Sequence, residues 1–353
     1  MPTVCVIPGE DAAAEAIDAT VDVLDQIQAG ISWKRCDVVS EPGPTGRPVL
    51  SETVRNIIDT SDATLFGATA GPAGPALFYL RWGKQTFANV RPTRWTPGLG
   101  SPLARPQGID FVIVRENLED AYLNLEGDLR SLAPLGLMSR TAGCAPQDLG
   151  EGAYALKAIT KAGSERVVRF AFDLARRRRA EGRPGRVTAS AKWNMLPKTD
   201  GLFIKTAQEV SKAYPDVEFD TLIVDDCAHR LVRDPHRFDV LVLPNLYGDI
   251  LSDAAAGLTG GLGVAASGCF GRDYAYFESA HGTAPDIAGK GIVNPTATLL
   301  SAAMMLEHLA LNEKAADLRR AIDQVYAEGR VLTPDQGGSA GTLDFCNAVV
   351  AAI

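Results

Sequence analysis

The chain has no apolar run near the ~18 residues that a membrane-spanning helix requires, which argues against a helical membrane protein. Its first residues, MPTVCVIPGED, carry neither a basic segment nor a long apolar stretch. A secretory signal is therefore not expected, and a cytoplasmic location is. The six cysteines (Cys5, Cys36, Cys144, Cys227, Cys269 and Cys346) include no pair at CxxC spacing. That disfavours a zinc site or a disulfide framework and predicts reduced thiols. There is no GxGxxG fingerprint, so a dinucleotide would have to be held by some other loop. There are no internal repeats and no low-complexity segments. Positive charge is in deficit: 35 Lys and Arg face 43 Asp and Glu, a net charge of −8 that disfavours nucleic acid as a partner. One local exception, Arg176 to Arg179, follows the helical pattern SERVVRFAFDLA and reads as a solvated helix C-terminus, where cations offset the dipole.

What is present is ordinary globular composition over 353 residues, 46% hydrophobic and 22% charged, enough for about two domains. Short β-type runs (VCVIPG, ATLFGAT, FVIVREN, RVTASA, TLIVDD, DVLVLPN) alternate with helical stretches, which predicts an α/β architecture with a largely parallel sheet. Gly and Pro cluster at 67–75 and at 97–108, the second reading as a hinge or crossover. The irregular stretch at about 126–153 reads as an arm that a partner subunit could exchange.

Three segments carry chemistry. In FDVLVLPNLYGDILSDAAAGLTGGLG a buried strand, 238–244, ends at Asn245 and Gly248, and a helix is expected to begin there. Asp249 and Asp253, four apart, share one face of its first turns and make half of an oxygen-rich site for Mg²⁺ or Mn²⁺. A lone DxxxD more often serves the helix dipole, so the pair gains meaning only from its company. FESAHGTAPDIAGKGIVNP, 277–295, has small residues that let backbone amides approach phosphate. Within it, Asp286 can accept from a ribose diol and repel a 2′-phosphate, favouring NAD over NADP. Arg81, Arg91 and Arg115, each near an element end, suit a polycarboxylate, while Tyr122 and Lys192 are candidate proton-transfer groups. Singly, each is an ordinary surface residue; the set carries the reading.

In this order the segments resemble the β-decarboxylating dehydrogenases, which act on isocitrate, homoisocitrate, 3-isopropylmalate, tartrate or D-malate. The resemblance runs from VIPGE through DATLFGAT, FANVRP, VIVREN, ITKAGSERV, NLYGDILSD and HGTAPDIAGKGIVNP to LSAAMML and TPDQGG, nearly the whole chain. IVDDCAHRLVRDPHRFDVLV and DATLFGAT look closest to the NAD-linked isocitrate and homoisocitrate branch.

The resemblance implies the isocitrate/isopropylmalate dehydrogenase-like α/β fold, distinct from the Rossmann fold, with the active site in the cleft between two domains. The large NAD-binding domain would comprise 1–88 and 247–353. The small domain, 89–246, would carry the arm and the dimer interface. A homodimer with shared active sites is implied, acting on a small hydroxy-polycarboxylate. Arg81, Arg91 and Arg115 would hold carboxylates, with Leu77, Phe78 and Asn194 near the substrate. Asp249 and Asp253 would bind metal with Asp225 of a neighbouring subunit, and Lys192, also from the neighbour, would serve the hydroxyl proton. Tyr122 would protonate the carbon left by decarboxylation. Thr69, Asn245, Glu278, His281, Gly282, Thr283, Ala284, Asp286 and Asn294 would line the NAD site.

Two departures stand out. Gly9-Glu10-Asp11-Ala12-Ala13-Ala14-Glu15 replaces the family's glycine-rich GDGIGPE turn, so a different local shape is expected there. In AGPAGPALFYLR, Pro75 and Leu77 stand where isocitrate enzymes carry Ser and Asn, and Phe78 where homoisocitrate enzymes carry Arg. Leu77 suits an apolar 3-substituent, whereas Thr69 or the Gly-rich backbone suits a polar or anionic one, a phosphonomethyl group included. A catalytically silent regulatory subunit is the reading from another class; it is disfavoured because Tyr122, Lys192, Asp225, Asp249 and Asp253 are all present.

Overall fold

The computed structural model describes residues 1–44 and 46–353. Fourteen strands are found among them: β1 (Thr3–Ile7), β2 (Ser32–Arg35), β3 (Ser40–Pro42), β4 (Pro48–Leu50), β5 (Ala63–Phe66), β6 (Ala88–Arg94), β7 (Asp110–Glu116), β8 (Glu126–Asp128), β9 (Ala153–Ala155), β10 (Arg186–Ala191), β11 (Glu218–Ile223), β12 (Val240–Leu243), β13 (Ala266–Phe270) and β14 (Ala275–Ser279). The helices are α1 (Ala12–Gln26), α2 (Glu52–Asp59), α3 (Gly74–Phe78), α4 (Lys161–Ala180), α5 (Thr199–Ser211), α6 (Val224–Arg233), α7 (Asn245–Gly257), α8 (Thr296–His308), α9 (Asn312–Glu328) and α10 (Thr342–Ala351).

Ten strands form one sheet in the order β11-β10-β12-β7-β6-β13-β14-β5-β1-β2. Its two wings are parallel, as the alternation of strand and helix predicts. Three antiparallel pairings, β7 with β6, β6 with β13 and β13 with β14, join them at the centre. The strands βαβ crossovers feed are buried on both faces, which is why β12 (VLVL) and most of β7 (DFVIVRE) read as continuous apolar runs. Helix α8 is apolar nearly all round and runs through the core of the β13–β14 wing, as expected for a helix covered on every side. On the other wing α4 and α5 pack Phe172 and Phe203 against one sheet face, and Cys227, Leu231 and Leu251 of α6 and α7 cover the opposite face.

Several expectations are corrected. The 97–108 stretch is not a crossover: it joins the antiparallel neighbours β6 and β7. Helix α7 starts at Asn245 rather than after Gly248, so its first turn holds no acid, and Asp249 and Asp253 sit one and two turns further in. Gly248 lies inside the helix because a Cβ there would come within 2.7 Å of Arg115 Cβ; glycine lets α7 lie directly on the β7 arginine. Of the four arginines, Arg178 is not solvated; its Nε lies 2.6 Å from the buried Asp239. Apart from these corrections, the expected arm at about 126–153 forms an antiparallel pair, β8 with β9, around two 3₁₀ turns. All six cysteines are free, and no described helix is long and apolar enough to cross a membrane.

Candidate active site

The site is assembled where α7 lies across the ends of the central strands. Arg91 on β6 and Arg115 on β7 both turn toward Asp249 on α7. Arg91 Nη1 lies 3.3 Å from Asp249 Oδ1 and donates to Asp253 Oδ1 at 3.0 Å and to Ser252 Oγ at 2.7 Å. Arg115 donates to Asp249 Oδ1 through Nη1 and to Asn245 Oδ1 through Nε, the latter at 2.8 Å. Tyr122, on a 3₁₀ turn (Ala121–Leu123), donates its hydroxyl to Asp249 Oδ2 at 2.8 Å, while the Arg115 guanidinium lies 5.3 Å from its ring centre. Arg81 sits on a π-helical turn (Tyr79–Gly83) that continues α3, a distortion often found at functional sites. Its Nε donates to Tyr276 Oη at 3.1 Å, and its Nη2 lies 3.6 Å from Glu278.

Electrostatics follow from this crowding. Arg115 is buried, and burial with the nearby Arg91 charge pulls its guanidinium down to about 10 despite Asp249. Burial also works against the charge on Arg81, but Tyr276 and Glu278 outweigh it and hold the group above its usual value. The Asp253 carboxyl is raised by burial and by Asp249, with Arg91 and Arg115 opposing. Burial, then the bond to Asp249, raises the Tyr122 phenol, which keeps it protonated and able to donate. The buried Arg91 and Arg115 thus anchor a cluster of alternating charge whose Asp249, Asp253 and Tyr122 reach toward solvent.

Among the described residues, no hydrogen bond or ion pair joins the side chains of Lys192 and Asp225 to that cluster. Lys192 Nζ lies 2.5 Å from Asp225 Oδ1, and this hydrogen bond lowers the exposed aspartate's pKa. Asp200 Oδ2 accepts from the Lys192 backbone at 2.7 Å and fixes the turn that carries it; Asn194, two residues on, is exposed. No group of three metal-capable side chains exists among the described residues of one chain. Asp249 and Asp253 nevertheless fit a cation: one cationic nitrogen of Arg91 already lies within 3.3 Å of both carboxylates.

The expected cofactor residues occupy three places. Thr69 lies in the loop before α3, where its hydroxyl donates to Glu10 Oε1 at 2.9 Å. Gly282, Thr283, Ala284 and Asp286 lie between β14 and α8, with Ala284 in the left-handed conformation (φ 51) and Asp286 exposed on a 3₁₀ turn. His281 fits a ligand-facing role: its Nδ1 lies 2.8 Å from Gly282 O, its Nε2 is buried without a partner, and burial lowers its pKa. Glu278 links this strand to Arg81. Asn245 and Asn294, also expected with the cofactor, are hydrogen-bonded within the chain. Asn245 accepts from Arg115 and donates to Glu119 O, and Asn294 donates to Asp335 and accepts from Thr296 N at the start of α8. Near Arg81, Leu77 is half-buried, while Phe78 is exposed and tilts against Trp82 with ring centres 5.6 Å apart.

Sequence reasoning missed the residues that aim the arginines. Asn89 Oδ1 accepts from Arg91 Nε, and Tyr276 supports Arg81 beside Glu278. Both supports stand two residues from a named group on the same strand, so period-two facing could have found them. Ser252, three residues after Asp249 on α7, was open to the same kind of reasoning.

The sequence pattern of the family described as isocitrate/isopropylmalate dehydrogenase matches residues 3–351. This chain belongs to that family. It is 43% identical over 364 aligned residues to an isocitrate/homoisocitrate dehydrogenase of Thermus thermophilus, covering 99% of this chain and 98% of the relative. It is 38% identical over 349 residues to a 3-isopropylmalate dehydrogenase of Archaeoglobus fulgidus, with the same coverage. The crystal structure of an isocitrate dehydrogenase from Methylococcus capsulatus superposes with a TM-score of 0.85 at 36% identity, covering 100% of this chain and 99% of that one. The isocitrate/isopropylmalate dehydrogenase-like fold is thereby established, and the chain is an oxidoreductase of a family of β-decarboxylating dehydrogenases.

Proposed function

We propose that the chain is an NAD-dependent, divalent-metal-dependent dehydrogenase that oxidises and decarboxylates an isocitrate-like or homoisocitrate-like 3-substituted malate. The observation that carries this reading is the convergence of Arg91, Arg115 and Tyr122 on Asp249, with Asp253 sharing Arg91. Arg91 and Arg115 hold the two aspartates here. When Asp249 and Asp253 instead face a cation, both guanidiniums are released for substrate carboxylates, so cation and anionic substrate favour each other's binding. When bound, Mg²⁺ or Mn²⁺ would acidify the chelated hydroxyl and polarise the carbonyl that replaces it, and NAD would accept the hydride. Asp249 and Asp253 would hold the metal with Asp225 of a second copy, and that copy's Lys192 would take the hydroxyl proton. Tyr122, protonated and aimed by Asp249, would deliver a proton to the carbon left after carbon dioxide departs.

A homodimer with shared sites is part of the reading. The paired Lys192 and Asp225 share no ion pair with Asp249, and apolar side chains are exposed on the segments that carry these groups: Met195 and Leu196 beyond Lys192, Val232 on α6 and Ile250 on α7. The arm adds exposed Leu135, Leu137 and Met138. Exposed large apolar side chains in such number are compatible with a surface covered by a second copy. The proposed domains are 1–88 with 247–353, and 89–246, which would meet in the sheet where β6 pairs with β13. Asp286, on the 283–294 loop, supports NAD over NADP.

Leu77, Phe78 and Trp82 beside Arg81 favour one second reading, an apolar 3-substituent as in 3-isopropylmalate. A kinetic panel of isocitrate, homoisocitrate, 3-isopropylmalate, D-malate and 3-(phosphonomethyl)malate, each with NAD or NADP and Mg²⁺ or Mn²⁺, tests both. Preference for isocitrate or homoisocitrate with NAD is expected. A kcat/KM at least about tenfold higher for the alkylmalate would replace the first reading with the second, and equal use of NADP would remove the role given to Asp286.

A further inference from the structure

The turn that departs from the family's glycine-rich pattern has a defined shape. Its backbone is pressed onto the end of β5: Glu10 N donates to Ala68 O at 3.0 Å, and a Cβ on Gly9 (φ +74) would lie 2.4 Å from that same oxygen. Asp11 then adopts φ 53, and α1 begins at once, with Ala12 and Ala16 packed on Val293 and Ile287.

Two carboxylates of this short segment reach in different directions. Glu10 Oε1 accepts from Thr69 Oγ1 at 2.9 Å and from Ala73 N at 3.0 Å, while Oε2 accepts from Ala70 N at 2.6 Å. Glu10 therefore closes the 69–73 loop that leads into α3 and Arg81. One turn later, Glu15 Oε1 accepts from Gly289 N at 2.5 Å and Oε2 from Gly291 N at 3.0 Å. Between them, Ala12 N donates to Thr283 O at 3.0 Å. The segment thus grips both loops assigned to the dinucleotide, the one with Thr69 and the one with Thr283, Ala284 and Asp286.

We infer that Glu10 and Glu15 are positioning residues, a pair of carboxylate clamps that hold the two dinucleotide loops to a single turn and preorganise the site before the cofactor arrives. The inference rests on the proposed dinucleotide site. Its physical basis is that both loops are ordered by charge-assisted bonds to backbone N–H groups, so the cofactor need not supply their ordering entropy. Neither glutamate needs to touch the dinucleotide.

The test compares the unmutated protein with Glu10→Gln, Glu15→Gln and the conservative Glu10→Asp. Two readouts are taken: hydrogen–deuterium exchange of peptides covering 69–73 and 289–291 without any dinucleotide, and NAD affinity by calorimetry. A Gln side chain turns an N–H₂ toward at least one backbone N–H donor. Glu10→Gln should therefore speed exchange at 69–73, and Glu15→Gln at 289–291. Each should weaken NAD binding about tenfold, a loss of about 1.4 kcal/mol, and in turnover the loss should fall on KM for NAD more than on kcat. Glu10→Asp should restore part of the affinity. Unchanged exchange in both Gln variants overturns the clamp even if the unmutated protein binds NAD tightly. Faster exchange with unchanged NAD affinity overturns the link from clamp to cofactor. If the unmutated protein binds neither NAD nor NADP, the proposed dinucleotide site fails and the link fails with it, whereas the exchange result still decides the clamp.

Discussion

Asp253 is half-exposed at the edge of the charged cluster, and its partner is Arg91 rather than a structural neighbour. Neutralising it should therefore remove a cation ligand while leaving packing intact. Asp253→Asn is expected to lower metal-dependent kcat/KM by at least about 100-fold with Tm changed by no more than a few degrees. Initial rates across a Mn²⁺ titration check this, and an unchanged rate would take the metal role away from this residue. One residue before the end of the predicted FVIVREN run stands Glu116, buried beside Arg115 and accepting from the backbones of Leu118 and Glu119. Burial raises its carboxyl to about 7. With the folded pKa above the unfolded one, the native state holds the extra proton between the two values, so this group's contribution to stability falls as pH rises from about 4.5 to about 7 and is flat above. Chemical denaturation of Glu116→Gln beside the unmutated protein should show the variant gaining on the order of 1–3 kcal/mol, relatively, across that window. Parallel pH profiles would contradict the assignment.

At the scale of elements, Arg178 shows how α4 is fixed to the sheet. Besides its Nε contact to Asp239, it donates through Nη2 to Asp110 at 3.0 Å, and Asp239 also accepts from Gly185 N and Arg186 N. Arg178→Ala would leave the buried Asp239 carboxylate without its cation, at a cost of about 3–5 kcal/mol in urea unfolding. A loss below about 1 kcal/mol would mean the helix end is solvated, as its run of four arginines had implied. The same comparison shows what was legible in the sequence. Strands buried on both faces announce themselves by apolar runs, so β1, β7 and β12 were legible, while β10 (RVTASA) carries buried Thr188 and Ser190 and was legible by its short β-type pattern between helical stretches. Gly248 was read as a helix boundary because glycine usually is one; its real use, close approach to Arg115, depends on a residue 133 positions away in sequence. The π turn under Arg81 and the hairpin nature of 97–108 were likewise invisible, since both are set by tertiary packing rather than by local propensity.

For the molecule as a whole, the sheet brings chain segments far apart in sequence into one cluster: Arg91, Arg115, Tyr122, Asp249 and Asp253 come from β6, β7, a 3₁₀ turn and α7. Their identities were legible through motifs, but their convergence on Asp249 was not, because spacing along the chain carries no distance across a sheet. Lys192 and Asp225 pair with each other without an ion pair to that cluster, and in the proposed homodimer they would complete the cluster of a second copy. Mixing two inactive variants, Asp225→Asn and Asp253→Asn, after co-unfolding and refolding tests this most directly. In a mixed dimer with shared sites, one site receives Asp253 from one chain and Asp225 from the other and is whole, while the second site lacks both. With half the dimers mixed and one good site in each, activity should return to about one quarter of the unmutated level. No recovery above the two separate variants, in a preparation shown to contain mixed dimers, would contradict a site built from two chains.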